Sequence, residues 1–219
     1  LNNVAIESLP RLTRKQQGEA NQQRLLDAAL EVFTARGFHG ATLEQIAAAA
    51  GFSTGLVYSR FASKADLFLA LLERTIETRV ADLQRARRTK VGDAEAAAMT
   101  RSWWEGVRKR PEWMLVVIEF RVHAARDPEL NARYAALHAH HVQAMAEVIA
   151  HDLGRADGAP AELPVDEARM ALALGSGLVL ERWALGDDAI GDLPDRAAAT
   201  MRSGMVSSRL ARARRKRTR

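Results

Sequence analysis

Residues 42–61 read Thr42-Leu43-Glu44-Gln45-Ile46-Ala47-Ala48-Ala49-Ala50-Gly51-Phe52-Ser53-Thr54-Gly55-Leu56-Val57-Tyr58-Ser59-Arg60-Phe61. Thr42 and Gln45 have capping-box spacing, in which each side chain satisfies the other residue's free backbone N–H. Leu43, Ile46, Ala47 and Ala50 recur on one helix face. Gly51 stops that helix. Ser53 opens another, with Phe52 and Val57 spaced for a hydrophobic staple. Two short helices about a turn of about three residues predict a helix-turn-helix.

Working outward, Leu26, Ala29, Leu30 and Phe33 form the stripe of a helix beginning near Asn21, and Arg36-Gly37-Phe38 reads as its end. Ser63-Lys64-Ala65-Asp66 is again box-like and opens a long helix through Leu67, Leu71 and Leu72. Further helices are expected at Asp93–Lys109, Glu112–Arg126, Asp127–Leu153, Asp166–Leu185 and Asp195–Arg212, with loops at Gly154–Pro164 and Gly186–Pro194. Strand signals are almost absent. The fold class is all-α, about nine helices, with an N-terminal three-helix helix-turn-helix domain and a larger C-terminal bundle. The expected organisation is a flexible basic arm (1–20), a reading head (21–67), an effector-binding and dimerisation domain (68–208) and a basic tail (209–219).

Composition narrows the function classes. Without cysteine there are no disulfides or thiolate metal sites, which suits a reducing compartment. The longest apolar run, Met170 to Leu180, is interrupted by Gly175-Ser176-Gly177 and is too short for a membrane helix. Glu7 and Pro10 break any signal-peptide pattern, so a cytoplasmic protein is expected. The net charge is +5, but residues 209–219 carry seven basic side chains and no acid, leaving the remainder at −2. The basicity belongs to the tail, and global charge does not establish DNA binding.

The second helix of the turn is the better argument. Val57 and Phe61 can anchor it inward, leaving Thr54, Gly55, Tyr58 and Ser59 outside. Glycine inside a helix costs about 1 kcal/mol relative to alanine, and close backbone approach to a groove floor would justify it. Thr54 and Ser59 suit base edges; Tyr58 and Lys64 suit phosphates.

These residues carry a resemblance. Arg24 to Phe33, Arg36-Gly37-Phe38, Ala41 to Ala47, Gly51 to Phe61 and Ser63-Lys64, in register over about 21–68, resemble the TetR family of bacterial repressors. The resemblance implies phosphate contacts from Thr42, Ser53, Tyr58 and Lys64, and groove contacts from Thr54, Gly55, Ser59 and Arg60. Arg60 departs from the family pattern, where histidine or another aromatic is common; contact with phosphate or with a guanine edge are both open to an arginine. Double-stranded DNA with a palindromic operator, a homodimer and release by a small molecule are further implications.

For the C-terminal half we expect Trp103, Trp104, Trp113, Phe120, Met145, Met170 and Leu174 to line an apolar ligand cavity, with Glu119 and His123 orienting the ligand. Taken singly, each of these apolar residues reads more readily as core than as cavity lining. His138 and His141 lie three apart beside His140, but with no adjacent thiolate or carboxylate they fall short of a zinc set. No metal or cofactor is expected. Gly175 and Gly177 cost about 2 kcal/mol together in helix propensity, which suggests a close helix contact. With Asp195–Arg212, this segment is the expected dimer interface. No nucleophile elbow, phosphate loop or convergent acid–base pair supports an enzyme. The remaining alternatives are a helical bundle that never meets DNA, a DNA-binding protein without sequence preference, and an activator of the same fold that needs no ligand.

Overall fold

A computed structural model of the chain describes residues 13–89, 110–157, 164–197, 199–200 and 203–204. Among them the elements are α1 (Arg14–Gly40), α2 (Leu43–Ala50), α3 (Thr54–Tyr58), α4 (Lys64–Thr89), α5 (Pro111–Ala124), α6 (Pro128–Asp157), α7 (Val165–Leu185) and α8 (Asp187–Ile190), with no strand. The all-α expectation holds. The segments expected at Asp93–Lys109 and, in large part, at Asp195–Arg212 lie outside the described residues, as do Trp103, Trp104 and the 209–219 tail.

Four boundaries differ from expectation. The first helix starts at Arg14, because Thr13 and Gln16 form a reciprocal capping box inside the stretch read as a flexible arm. The same helix does not stop at Gly37. It kinks there, at φ 71° and ψ 171°, and continues one further turn to Gly40. Phe38 nevertheless packs back into the core as expected. At the other end of the chain α6 runs through Gly154 to Asp157, and the loop expected at Gly186–Pro194 contains α8.

The local start signals act as their chemistry dictates. Asp127 caps α6 by accepting from the amides of Glu129 and Leu130, with Pro128 in the first turn. Ser63 caps α4 by accepting from the amide of Asp66, and its hydroxyl donates to the Asp66 carboxylate. Those contacts, with Arg133 of α6 paired to Asp66 at 2.6 Å, hold the Asp66 carboxyl below its usual range.

One core runs from the N-terminal helices into α5. Leu25, Ala29 and Phe33 of α1, Ile46 of α2, Val57 of α3 and Leu67, Phe68 and Leu71 of α4 are sealed from solvent together with Val116 and Phe120 of α5. Burial of each large apolar side chain contributes about 1.5–3 kcal/mol. Aromatic rings connect the two halves: Phe68 stacks on Phe120 at 4.4 Å, and Phe38 meets Phe120 edge-on at 5.0 Å. A second, small core joins α6 to α7 through Val142, Ala146 and Ala168.

Candidate nucleic-acid interface

The helix-turn-helix is built by caps and one clamp. In α2 the Thr42 hydroxyl accepts from the Gln45 amide at 3.3 Å, and the Gln45 side chain accepts from the Thr42 amide at 3.1 Å. Gly51 ends α2 in the left-handed region (φ 68°, ψ 34°), and the Phe52 amide donates back to the Ala47 carbonyl, closing a Schellman turn. Arg24 of α1 donates to the Ala50 carbonyl at 3.0 Å and lies over the Phe52 ring at 5.0 Å. That clamp fixes the turn to α1. Sequence patterning gave no hint of it, because the partners lie 26 residues apart.

Ser53 caps α3 through its hydroxyl and the Leu56 amide. Val57 is wholly buried and Phe61 packs against the same core, so the remaining face of α3 turns outward. Gly55, Tyr58, Ser59 and Arg60 are exposed, Thr54 is half-buried, and Thr42 and Ser53 are exposed at the two helix starts. A methyl group built on Gly55 meets nothing within 4 Å, so internal packing does not require glycine at this position.

Several of these side chains are engaged within the protein. Tyr58 donates its hydroxyl proton to Glu44 of α2 at 3.0 Å, which raises the Tyr58 pKa. The Ser59 hydroxyl donates to the Leu56 carbonyl, and Arg60 reaches the Gly18 carbonyl at 3.4 Å. Lys64 differs most from a free phosphate ligand. Its ammonium donates to the carbonyls of His39 at 3.1 Å and Ala41 at 2.8 Å and sits over the Phe38 ring, and its burial lowers its pKa. In this arrangement Lys64 caps the end of α1.

The described members of the expected ligand set fall in different places. Trp113 and Phe120 belong to the main core, whereas Met145 packs in the small α6–α7 core. Met170 and Leu174 stand on the surface instead, 55% and 37% exposed. With 3.6 residues per turn, Ala168, Leu172, Gly175 and Val179 take the inner face of α7, and Met170, Leu174 and Gly177 fall opposite. Glu119 and His123 are also committed elsewhere. Glu119 accepts from the Phe38 amide at 2.7 Å, and the His123 ring packs against those of Phe38 and His39. Both residues secure the kinked end of α1 to α5.

A polar cluster inside the helical bundle escaped sequence reading. Arg121 of α5 donates to Ser176 of α7 at 3.2 Å and lies over the Tyr134 ring of α6, which in turn stacks on His138. Burial, then the Arg121 and Arg169 charges, lower the His138 pKa. One turn further along α6, burial and the neighbouring cations depress His141 to about 4. The i, i+3 spacing of the two histidines was visible; the arginines beside them, Arg121, Arg169 and Arg79, come from other helices.

Comparison with known proteins places this geometry. Residues 25–71 match the profile described as "Bacterial regulatory proteins, tetR family". The chain is similar to the transcriptional activator FasR of Mycolicibacterium smegmatis, 44% identical over 66 residues, which are 30% of each chain. It is also similar to the transcriptional repressor NicS of Pseudomonas putida, 26% identical over 147 residues, 66% of this chain and 68% of NicS. The FasR match therefore spans under a third of that relative's length. In three dimensions the chain resembles the regulator FadR of Bacillus subtilis, solved in complex with stearoyl-CoA. That likeness covers 82% of this chain and 94% of FadR at a TM-score of 0.61 and 16% identity, so it concerns the fold. No helix among the described residues is long and apolar enough to cross a membrane. The matched profile falls on the capped α2–α3 unit and the helices that hold it, so residues 25–71 carry the N-terminal domain of the TetR family of bacterial regulatory proteins.

Proposed function

We propose that the chain is a sequence-specific DNA-binding transcriptional regulator, a cytoplasmic homodimer whose reading heads insert Thr54–Arg60 into successive major grooves of a palindromic operator. The observation carrying this reading is the outward face of α3: Gly55, Tyr58, Ser59 and Arg60 are exposed while Val57 anchors the helix. A recognition helix must present small or polar groups to base edges on a rigid support. Thr42, Ser53 and Tyr58 would contact phosphates and fix the register. Lys64 would do so only by giving up its carbonyl partners. Residues 21–67 act as the head and 68–208 as the effector and dimerisation part, with the two sharing one core.

Repression is the mode inferred. NicS, aligned over most of its length, is named a repressor, whereas FasR, named an activator, is aligned only over the head. The effector is proposed to be a small hydrophobic molecule, a reading supported by the stearoyl-CoA bound to FadR. It would lodge among α5, α6 and α7, where Arg121, Tyr134, His138 and Ser176 offer polar groups beside apolar walls. A shift of α5 would reach the head through the Glu119–Phe38 hydrogen bond and the aromatic cluster. It would change the separation of the two heads and so the fit to both half-sites. The dimer would use the outer face of α7, where Met170, Leu174, Leu180 and Trp183 are exposed and Gly177 leaves open space.

Selection of genomic fragments by the purified protein tests the reading. Enrichment of one palindrome bound by two protomers is expected. Capture of fragments without sequence preference would replace the regulator with a DNA-compacting protein.

A further inference from the structure

Glu44 stands on the same exposed face as Tyr58 and takes the one proton the tyrosine hydroxyl can donate. Glu44 sits in the first turn of α2, Tyr58 is the last residue of α3, and the bond crosses between the two helices in full view of solvent. The Glu44 carboxyl is held below its ordinary pKa by its own backbone amide, then by the Thr42 hydroxyl, then by Tyr58. Its charge therefore persists at neutral pH. Thr42 and Tyr58 are also the side chains assigned above to DNA phosphates. A phosphate oxygen arriving at Tyr58 needs the proton that Glu44 already accepts, and it brings negative charge up to a carboxylate.

We propose that Glu44 is an internal competitor of the DNA backbone: it occupies the Tyr58 hydroxyl in the free protein, surrenders it on binding, and so weakens association with any duplex. The proposal rests on the DNA-binding reading of α3 and adds a residue that works against affinity. Phosphate contacts carry no sequence information, so Glu44 lowers specific and non-specific affinity alike and leaves their ratio unchanged. A weak, sequence-independent brake of this kind speeds release of the regulator from DNA. The competing structural role would be a staple between α2 and α3, in which case losing the carboxylate would weaken binding.

The test measures affinity of the wild type, Glu44→Gln, Tyr58→Phe and the double variant for an enriched duplex and for a random duplex, at about 50 mM and again at higher salt. Glu44→Gln is expected to tighten both complexes about two- to fivefold at low salt, the scale of one exposed charge interaction, with a smaller gain at high salt. In the Tyr58→Phe background that gain should fall by at least half, because only charge repulsion remains to be relieved. In the free protein, the 13Cζ resonance of Tyr58 should shift on Glu44→Gln and the Tyr58 titration should move to lower pH. Unchanged or weaker binding by Glu44→Gln, or an equal gain with Tyr58→Phe, overturns the proposal. If the wild type binds duplex and Glu44→Gln fails to tighten it, only this inference falls. If the wild type binds no duplex, the DNA-binding reading falls with it.

Discussion

The bond between Glu119 and the Phe38 amide gives the sharpest mechanical prediction. Phe38 follows the kink at Gly37, where the amide loses the helical acceptor one turn back, and Glu119 supplies a replacement at 2.7 Å in a partly buried setting. Glu119→Ala removes the acceptor and leaves the amide unsatisfied beside the aromatic cluster. A hydrogen bond to a charged acceptor is worth about 1.5–3 kcal/mol, so a loss near 2 kcal/mol is expected. For a chain of 219 residues this corresponds to a fall of roughly 4–8 °C in Tm. Glu119→Gln keeps a neutral acceptor and should lose about half as much. Calorimetry reads the two shifts, and amide exchange at Phe38 localises them, since its protection should drop in the alanine variant before that of the α4 core. A Tm for Glu119→Ala within about 1 °C of wild type, or unchanged exchange at Phe38, would refute the strut.

Other expectations follow from single contacts. Gly37→Ala forces a side chain into φ 71° and sets its Cβ 2.9 Å from Glu119 Oε2, so a loss of about 2–3 kcal/mol should appear in denaturant unfolding. Lys64→Ala should lower the Tm of DNA-free protein by about 2–6 °C, because its ammonium caps α1; a role confined to phosphate would leave that Tm unchanged. His141 is held neutral with a pKa of about 4, so the unfolded chain binds the extra proton between about 6.5 and 4. Its stabilising effect is complete above pH 6.5 and is lost as pH falls toward 4, by at most about 3 kcal/mol, and His141→Gln should flatten the stability curve in that window.

Features decided within one or two turns of chain could be read directly from residues. The Thr42–Gln45 box, the left-handed Gly51, the Ser53 cap, buried Val57 and exposed Gly55 all follow from local chemistry, which is why the helix-turn-helix was legible. The Thr13–Gln16 box is equally local, but it lies in a stretch whose basic charge reads as an arm. The C-terminal half was less legible for a physical reason. The environments of Glu119, Lys64 and Arg121 are set by partners on other helices, and periodicity says nothing about which helix comes alongside. On α7, Met170 and Leu174 read as cavity lining because they are apolar, yet the phase set by Ala168, Gly175 and Val179 turns them outward.

The most direct test of the central claim is the ratio of affinities for the enriched palindromic duplex and a scrambled duplex of the same length, measured for wild type and for Thr54→Ala. A reading helix predicts a wild-type ratio of about a thousandfold or more, cut by roughly tenfold or more when Thr54 is lost. A wild-type ratio near one, equally unmoved by Thr54→Ala, would mean that α3 reads no sequence and that the regulator account is wrong.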